Sequence, residues 1–140
     1  MGEPCKERAL VFAGAFNPIT IAHLERARYA LSYVHYDKVV FVPSKSSYIK
    51  NIQEKDFAYS DKERLRRLRL VKQDYPFREV SDYELKQKDQ PKTYLTLKEI
   101  SKSYQKVSLL IGSDKLIELE TVWKYVDEIG QEFGFVVRSR

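Results

Sequence analysis

The stretch VFAGAFNPITIAH, residues 11–23, decides how the rest of the chain is read. It opens inside an apolar run, residues 9–13 (ALVFA), that stops at Gly14, passes through Asn17-Pro18 and restarts beyond Thr20 with a different period. A short, uninterrupted apolar run closed by glycine is the pattern of a strand buried on both faces. Leu24, Ala27, Leu31 and Val34 then recur at spacings of three and four, which predicts an amphipathic helix over about residues 21–35. A buried strand that turns into a helix opens a βαβ unit and points to the α/β class.

Outward from this corner the alternation continues. Residues 38–43 (KVVFVP) predict a second strand, and residues 44–59, which carry Lys45, Lys50 and Lys55 without a consistent period, predict a long loop of the kind that holds function. Ser60-Asp61-Lys62-Glu63 has the spacing of a capping box, in which the serine hydroxyl and the glutamate reciprocally satisfy free N–H groups at a helix start. Leu65, Leu68 and Val71 give that helix its buried stripe. Arg64, Arg66, Arg67 and Arg69 share it and are expected, for the most part, to form a solvated face. A weak third strand over 77–80, a polar loop to Pro91 and a helix with Leu97, Ile100 and Tyr104 in step follow. The run 107–111 (VSLLI) is a second buried strand that stops at a glycine, in Gly112-Ser113-Asp114. A short helical stretch, a helix around 122–129 closed by Gly130 and a strand over 134–137 (GFVV) complete the chain.

This order predicts one domain over residues 1–140, with a parallel five-stranded sheet, right-handed crossovers and helices on both faces. Ligands in such sheets bind beyond the carboxyl ends of the strands, where the strand order reverses. Residues 14–23 and 112–114 therefore belong on one edge.

Composition narrows the chemistry. A chain of 140 residues with 43 % hydrophobic content has the size and apolar fraction of a domain with one core. Its single cysteine, Cys5, rules out an internal disulfide framework and a clustered thiolate metal site, and fits a reducing compartment. The early apolar run is too short for a signal sequence or a membrane span, and Lys6 occupies the position where a myristoylation signal needs Ser or Thr. These features lead us to expect a cytoplasmic protein without a membrane partner. The net charge of +5 comes mostly from residues 45–92, with thirteen Lys/Arg against nine acids. That excess suits an anion site or a solvated helix face, and no basic stripe interleaved with aromatics signals nucleic acid.

The corner itself has the makings of a phosphate site. Gly14 lacks a Cβ, so backbone or ligand can approach closely, and Pro18 fixes its own φ. Thr20 and His23 stand three apart on the first turn of the next helix, hence on one face. The free N–H groups and dipole of that turn favour phosphate, to which a histidine adds a hydrogen bond that positive charge on the ring would strengthen. Taken alone, such a histidine is a cap or a surface residue; the adjoining buried strand, glycine and proline turn the reading to function. Neither G-x-x-x-x-G-K-[ST] nor G-x-G-x-x-G is present, so this is neither a Walker loop nor a dinucleotide fingerprint.

Residues 14–23, GAFNPITIAH, resemble the first signature of the nucleotidyltransferase superfamily, G-x-F-[DN]-P-x-[HT]-x-x-H. Within it the chain is most similar to the nicotinamide or nicotinate mononucleotide adenylyltransferases. The resemblance implies a Rossmann-like nucleotidyltransferase fold and transfer of the adenylyl group of ATP to a pyridine mononucleotide, with Mg2+ accompanying the ATP and no metal site built by the chain. It implies that His23 and Thr20 are catalytic, that Gly14, Ala15, Phe16, His23 and Lys50 bind the ATP phosphates, and that Asn17 contacts the mononucleotide. Residues 92–97, KTYLTL, are similar to the family's S-Y-T-x-x-T-L run with a shift in detail, which assigns Thr93 and Tyr94 to the mononucleotide. Residues 110–116, LIGSDKL, are similar to its I-G-A-D-x-L, which assigns Gly112 and Asp114 to a nucleotide ribose. Asp114 also suits an N-cap, and Trp123, placed by the resemblance on the pyridine ring, suits the core equally. Lys50 likewise suits a solvated loop.

The family's last signature, I-S-S-T-x-[IL]-R, follows its final strand, whereas this sequence reaches Arg140 just after Val137-Arg138. The expectation is a domain whose C-terminal helices are truncated, as a fragment, a short homologue or a chain completed by another, with self-association through the uncovered surface. Two alternatives stand beside the pyridine-nucleotide reading: another acceptor, phosphopantetheine or a cytidylyltransferase substrate, and a non-catalytic nucleotide-binding module.

Overall fold

Five strands build one parallel sheet; four contain apolar runs of the sequence, and the fifth is the short segment Arg78–Val80 (REV). The structure, a computed structural model of the chain, describes residues 7–14, 16, 19–45, 60–70, 75–88, 93–112 and 126–138. In chain order the described elements are β1 (Arg8–Gly14), α1 (Ile21–Tyr33), β2 (Lys38–Pro43), α2 (Asp61–Leu70), β3 (Arg78–Val80), α3 (Tyr83–Lys86), α4 (Thr93–Ser101), β4 (Lys106–Gly112), α5 (Val126–Glu132) and β5 (Phe135–Arg138). Across the sheet the strands run β3-β2-β1-β4-β5.

β1 is the axis of the fold because its side chains are buried on both sides. Ala9, Leu10 and Val11 have no exposed surface, and the two-residue period of a strand sends them to alternate faces. On one face Ala9 and Val11 join Leu109 and Ile111 of β4, Leu97 and Ile100 of α4, and Ile129 of α5. On the other Leu10 joins Val39 and Phe41 of β2, Leu24, Ala27 and Ala30 of α1, and Leu68 of α2. Helices thus cover both faces: Leu24 of α1, Leu68 of α2, and Leu97 and Ile100 of α4 are buried where periodicity predicts, while Leu65 is half-buried and Tyr104 lies beyond the end of α4.

The structure departs from the sequence reading in three further places. The helix expected to close at Gly130 runs through it to Glu132. The residue that closes it is Gly134, at φ +87°, with its N–H on the Ile129 carbonyl at 2.9 Å. This left-handed conformation is one that glycine adopts without steric strain. The polar loop expected before Pro91 contains the short helix α3. In α2, Arg66 and Arg69 are exposed as expected, but the Arg64 side chain is completely buried. The capping-box reading of this helix holds for its serine half, with Glu63 N–H donating to Ser60 Oγ at 3.1 Å. Arg66 and Arg67 take up the Glu63 carboxylate at 2.6 and 2.7 Å, and their hydrogen bonds pull its pKa down to about 2.

Candidate functional site

The sheet order reverses between β1 and β4, since β2 and β3 extend from one side of β1 while β4 and β5 extend from the other. The registered pair Val11–Leu109 lies three residues before the end of each strand, so Gly14 and Gly112 finish level at the carboxyl edge. A crevice at such a reversal is where this sheet architecture accepts ligands.

At this edge Thr20 caps α1, and His23 completes the cap. His23 N–H points to Thr20 Oγ1 at 3.4 Å, and Thr20 N–H donates to His23 Nδ1 at 3.0 Å, so the two residues form a reciprocal capping box with histidine in the place usually held by glutamate. The Thr20 hydroxyl also lies 2.9 Å from Nδ1. Because a backbone N–H can only donate, Nδ1 must be an acceptor, which puts the ring proton on Nε2. The ring is held edge-on against Phe16 at 5.2 Å between centroids and against Phe12 at 6.3 Å. Burial against these rings, with a smaller contribution from the Arg26 charge, lowers the His23 pKa. The imidazole is therefore a neutral Nε2–H donor in a fixed orientation, where the sequence reading had considered the charged ring.

Gly14 lies against the Phe16 ring. A Cβ at Gly14 would stand 3.4 Å from the Phe16 ring, at the near limit of ordinary van der Waals contact. Phe16 itself turns inward at φ +44°, left-handed backbone that costs a non-glycine residue about 1–2 kcal/mol. Burial of its ring, which is 2 % exposed, offsets that strain. Expected as a phosphate residue, Phe16 has its side chain in the core, where it supports the His23 ring.

Thr93 begins α4, and a helix leading into a parallel strand runs against it, so this first turn also lies at the carboxyl edge. Tyr94 packs its ring against Phe133 and donates its hydroxyl to Glu132 at 2.5 Å, where Lys98 also reaches at 2.8 Å. Ala15, Asn17, Lys50, Asp114 and Trp123 lie outside the described residues.

Two residues at this edge escaped the sequence reading. Ser44, one residue beyond β2, places its N–H 3.0 Å and its hydroxyl 3.3 Å from the Gly14 carbonyl. Arg64 donates from α2 to the Ser44 carbonyl and to Asp61 Oδ1, the latter at 2.7 Å. A signal was available, because Arg64 stands four residues before Leu68 and thus on the buried stripe.

Chemically, the corner combines an oriented N–H donor with a helix N-terminus, an arrangement suited to an anion. Among the described residues no group of three or more His, Cys, Asp or Glu side chains could hold a metal ion. No helix among them is long and apolar enough to cross a membrane.

Residues 11–140 match the family described as cytidylyltransferase-like. A curated relative from Caldicellulosiruptor saccharolyticus, named as a nicotinate-nucleotide adenylyltransferase, is 36 % identical over 133 residues, 95 % of this chain. This chain spans 65 % of that relative's length. Two solved structures share the fold. One, assigned as a nicotinate-nucleotide adenylyltransferase of Vibrio parahaemolyticus, superimposes with a TM-score of 0.69 at 21 % identity, covering 95 % of this chain and 74 % of that one. The other, the nicotinic acid mononucleotide adenylyltransferase of Plasmodium falciparum complexed with APC, gives 0.65 at 15 % identity, covering 96 % and 75 %.

Proposed function

The chain belongs to the cytidylyltransferase-like family, among the pyridine-mononucleotide adenylyltransferases, and from that premise we propose that it takes part in joining ATP to nicotinate mononucleotide, or its amide, with release of pyrophosphate. The observation that carries this reading is the Thr20–His23 box at the strand-order reversal, which aims a neutral Nε2–H donor from a helix N-terminus. The name of the Caldicellulosiruptor relative favours the acid over the amide.

In the proposed reaction a phosphate oxygen of the mononucleotide attacks the α-phosphorus of ATP. The bond to the bridging oxygen of the β-phosphate breaks, and pyrophosphate departs with the electron pair. The protein's part is to align two anions that repel each other and to offset the charge that gathers on the phosphate oxygens. His23 Nε2–H and the first-turn N–H groups of α1 do this at one end. In the same proposal Ala15 and Lys50 meet the ATP phosphates, Asn17 and Thr93 with Tyr94 and Trp123 meet the mononucleotide, and Gly112 and Asp114 meet a ribose. The described residues do not build a cage for magnesium. We assign that ion to the nucleotide's own phosphates, the usual habit of a cation that sheds water reluctantly, and route no step through it. The setting we propose is the cytoplasm, with self-association as a further expectation.

The test is pyrophosphate release by the full chain with ATP and nicotinate mononucleotide, run beside nicotinamide mononucleotide, phosphopantetheine and CTP. The proposal expects release with a pyridine mononucleotide and ATP alone. Preference for phosphopantetheine or CTP would transfer the chain to another acceptor class. Binding of ATP without turnover on any acceptor would make it a nucleotide-binding module.

A further inference from the structure

Resting on that reading of the corner, we propose that Arg64 is a positioning residue, which from inside α2 fixes the Ser44 carbonyl and, through Ser44, the Gly14 carbonyl from which the phosphate corner departs. The contacts form one continuous line. Ser44 N–H and Oγ approach the Gly14 carbonyl at 3.0 and 3.3 Å, the Arg64 guanidinium donates to the Ser44 carbonyl, and Asp61 Oδ1 receives the same guanidinium at 2.7 Å. Ser44 is 7 % exposed and Arg64 not at all.

Burial is the informative part. An Asp–Arg pair three residues apart on a helix forms equally well at the surface, so pairing with Asp61 gives no reason to bury the cation. Packing against Leu68 gives none either, since an aliphatic side chain fills such a place without the desolvation penalty of a charge. Among the described residues, the contact that requires the guanidinium to be inside is the Ser44 carbonyl, which lies where β2 leaves the sheet beside the end of β1. A guanidinium suits the task because Nη2 makes both contacts and resonance holds its two hydrogens in the plane of the group, in fixed directions, whereas an ammonium is a freely rotating point charge. Gly14 has no side chain with which to anchor its own position, and the Phe16 turn begins two residues later. The Ser44–Arg64 line therefore sets where the donors of the corner stand relative to the two phosphates, and at such a site a misplacement of 1 Å costs on the order of 100-fold in rate.

The experiment compares Arg64→Met and Arg64→Lys with Leu68→Ala, which empties the core beneath the same helix without touching the guanidinium. Two quantities are read at equal distances below each variant's thermal midpoint: kcat for pyrophosphate release from ATP and nicotinate mononucleotide, and hydrogen-exchange protection of the Ser44 amide. Arg64→Met lowers kcat at least about tenfold more than Leu68→Ala and reduces Ser44 protection about tenfold, while Leu68→Ala keeps that protection. Arg64→Lys, with charge but without donors held in a plane, falls between wild type and Arg64→Met in both readouts, and it carries the comparison if Arg64→Met does not fold. Equal losses in the Arg64 and Leu68 variants, or full Ser44 protection in both Arg64 variants, would overturn the proposal. If the wild-type chain releases no pyrophosphate, the functional reading fails, and the Ser44 amide alone decides whether Arg64 holds the corner.

Discussion

His23 joins two links of the chain from sequence to the proposed function, since the use of Nδ1 in the cap of α1 determines that Nε2 carries the ring proton. Replacing it with alanine removes the proposed donor, and kcat for adenylyl transfer is expected to fall about 100- to 1000-fold, the usual effect of losing one preorganised donor. An unchanged kcat in a steady-state assay would remove His23 from the mechanism. Thr20→Val keeps the backbone N–H on Nδ1 but loses the capping hydroxyl. That variant should lose about 1 kcal/mol of stability by thermal unfolding, with Thr20→Ser restoring it. The lowered His23 pKa also fixes a sign. Because the folded state holds the proton less well than the unfolded chain, whose value is about 6.5, the stabilising contribution is complete above pH 6.5 and is lost as the pH falls through the lowered folded value. Thermal midpoints measured downward from pH 6.5 should therefore drop more steeply in the wild type than in His23→Gln.

At the scale of elements, the two glycines near the end of the chain make opposite predictions. Gly130 lies inside α5, where a Cβ would meet the Phe135 ring at an ordinary 3.5 Å. Gly130→Ala should raise stability by about 0.5–1 kcal/mol. Gly134 has open space, with the Ser108 hydroxyl 3.6 Å away, but its φ of +87° should make Gly134→Ala cost about 1–2 kcal/mol. Chemical denaturation of both variants checks the pair, and a loss at Gly130 would return the helix end to where the sequence alone placed it. The sequence reading took the first glycine as the stop because it follows the last apolar residue in step, Ile129. Periodicity marks a helix's buried face, while its end depends on backbone dihedrals that no pattern displays. The strands were legible for the converse reason, since runs such as KVVFVP sit in the sheet interior and have no polar face to blur them. Arg64 was hidden by its neighbours. Among four arginines in six residues the prior for a solvated face is sound; Arg67 and Arg69 also stand four residues from Val71 and Leu65, and only Arg64 falls inside the arc of the stripe, between Val71 and Leu68 by helical spacing. The Thr20–His23 cap was readable as spacing, but its identity as a box depended on allowing histidine to stand in for glutamate.

At the scale of the molecule, the crevice is assembled from strands far apart in sequence, so ligand binding should stabilise the whole sheet. Saturation with ATP at about 100 times its dissociation constant adds about 2.7 kcal/mol, a rise of roughly 5–10 °C in the thermal midpoint for a chain of this size. The rise should shrink in His23→Ala and persist in variants of the exposed Leu95, measured by scanning calorimetry. The order β3-β2-β1-β4-β5 also governs how the molecule comes into being. On the ribosome, β1 can pair with β2 early, but its other neighbour starts only at Lys106. Until then the chain carries an unpaired parallel edge whose side chains, Ala9, Leu10 and Val11, are wholly apolar. Such an edge is a template for intermolecular pairing. The reversal that opens a ligand crevice in the finished protein thus leaves its nascent form most exposed to aggregation, and chains cut short before β4 should accumulate as inclusion bodies.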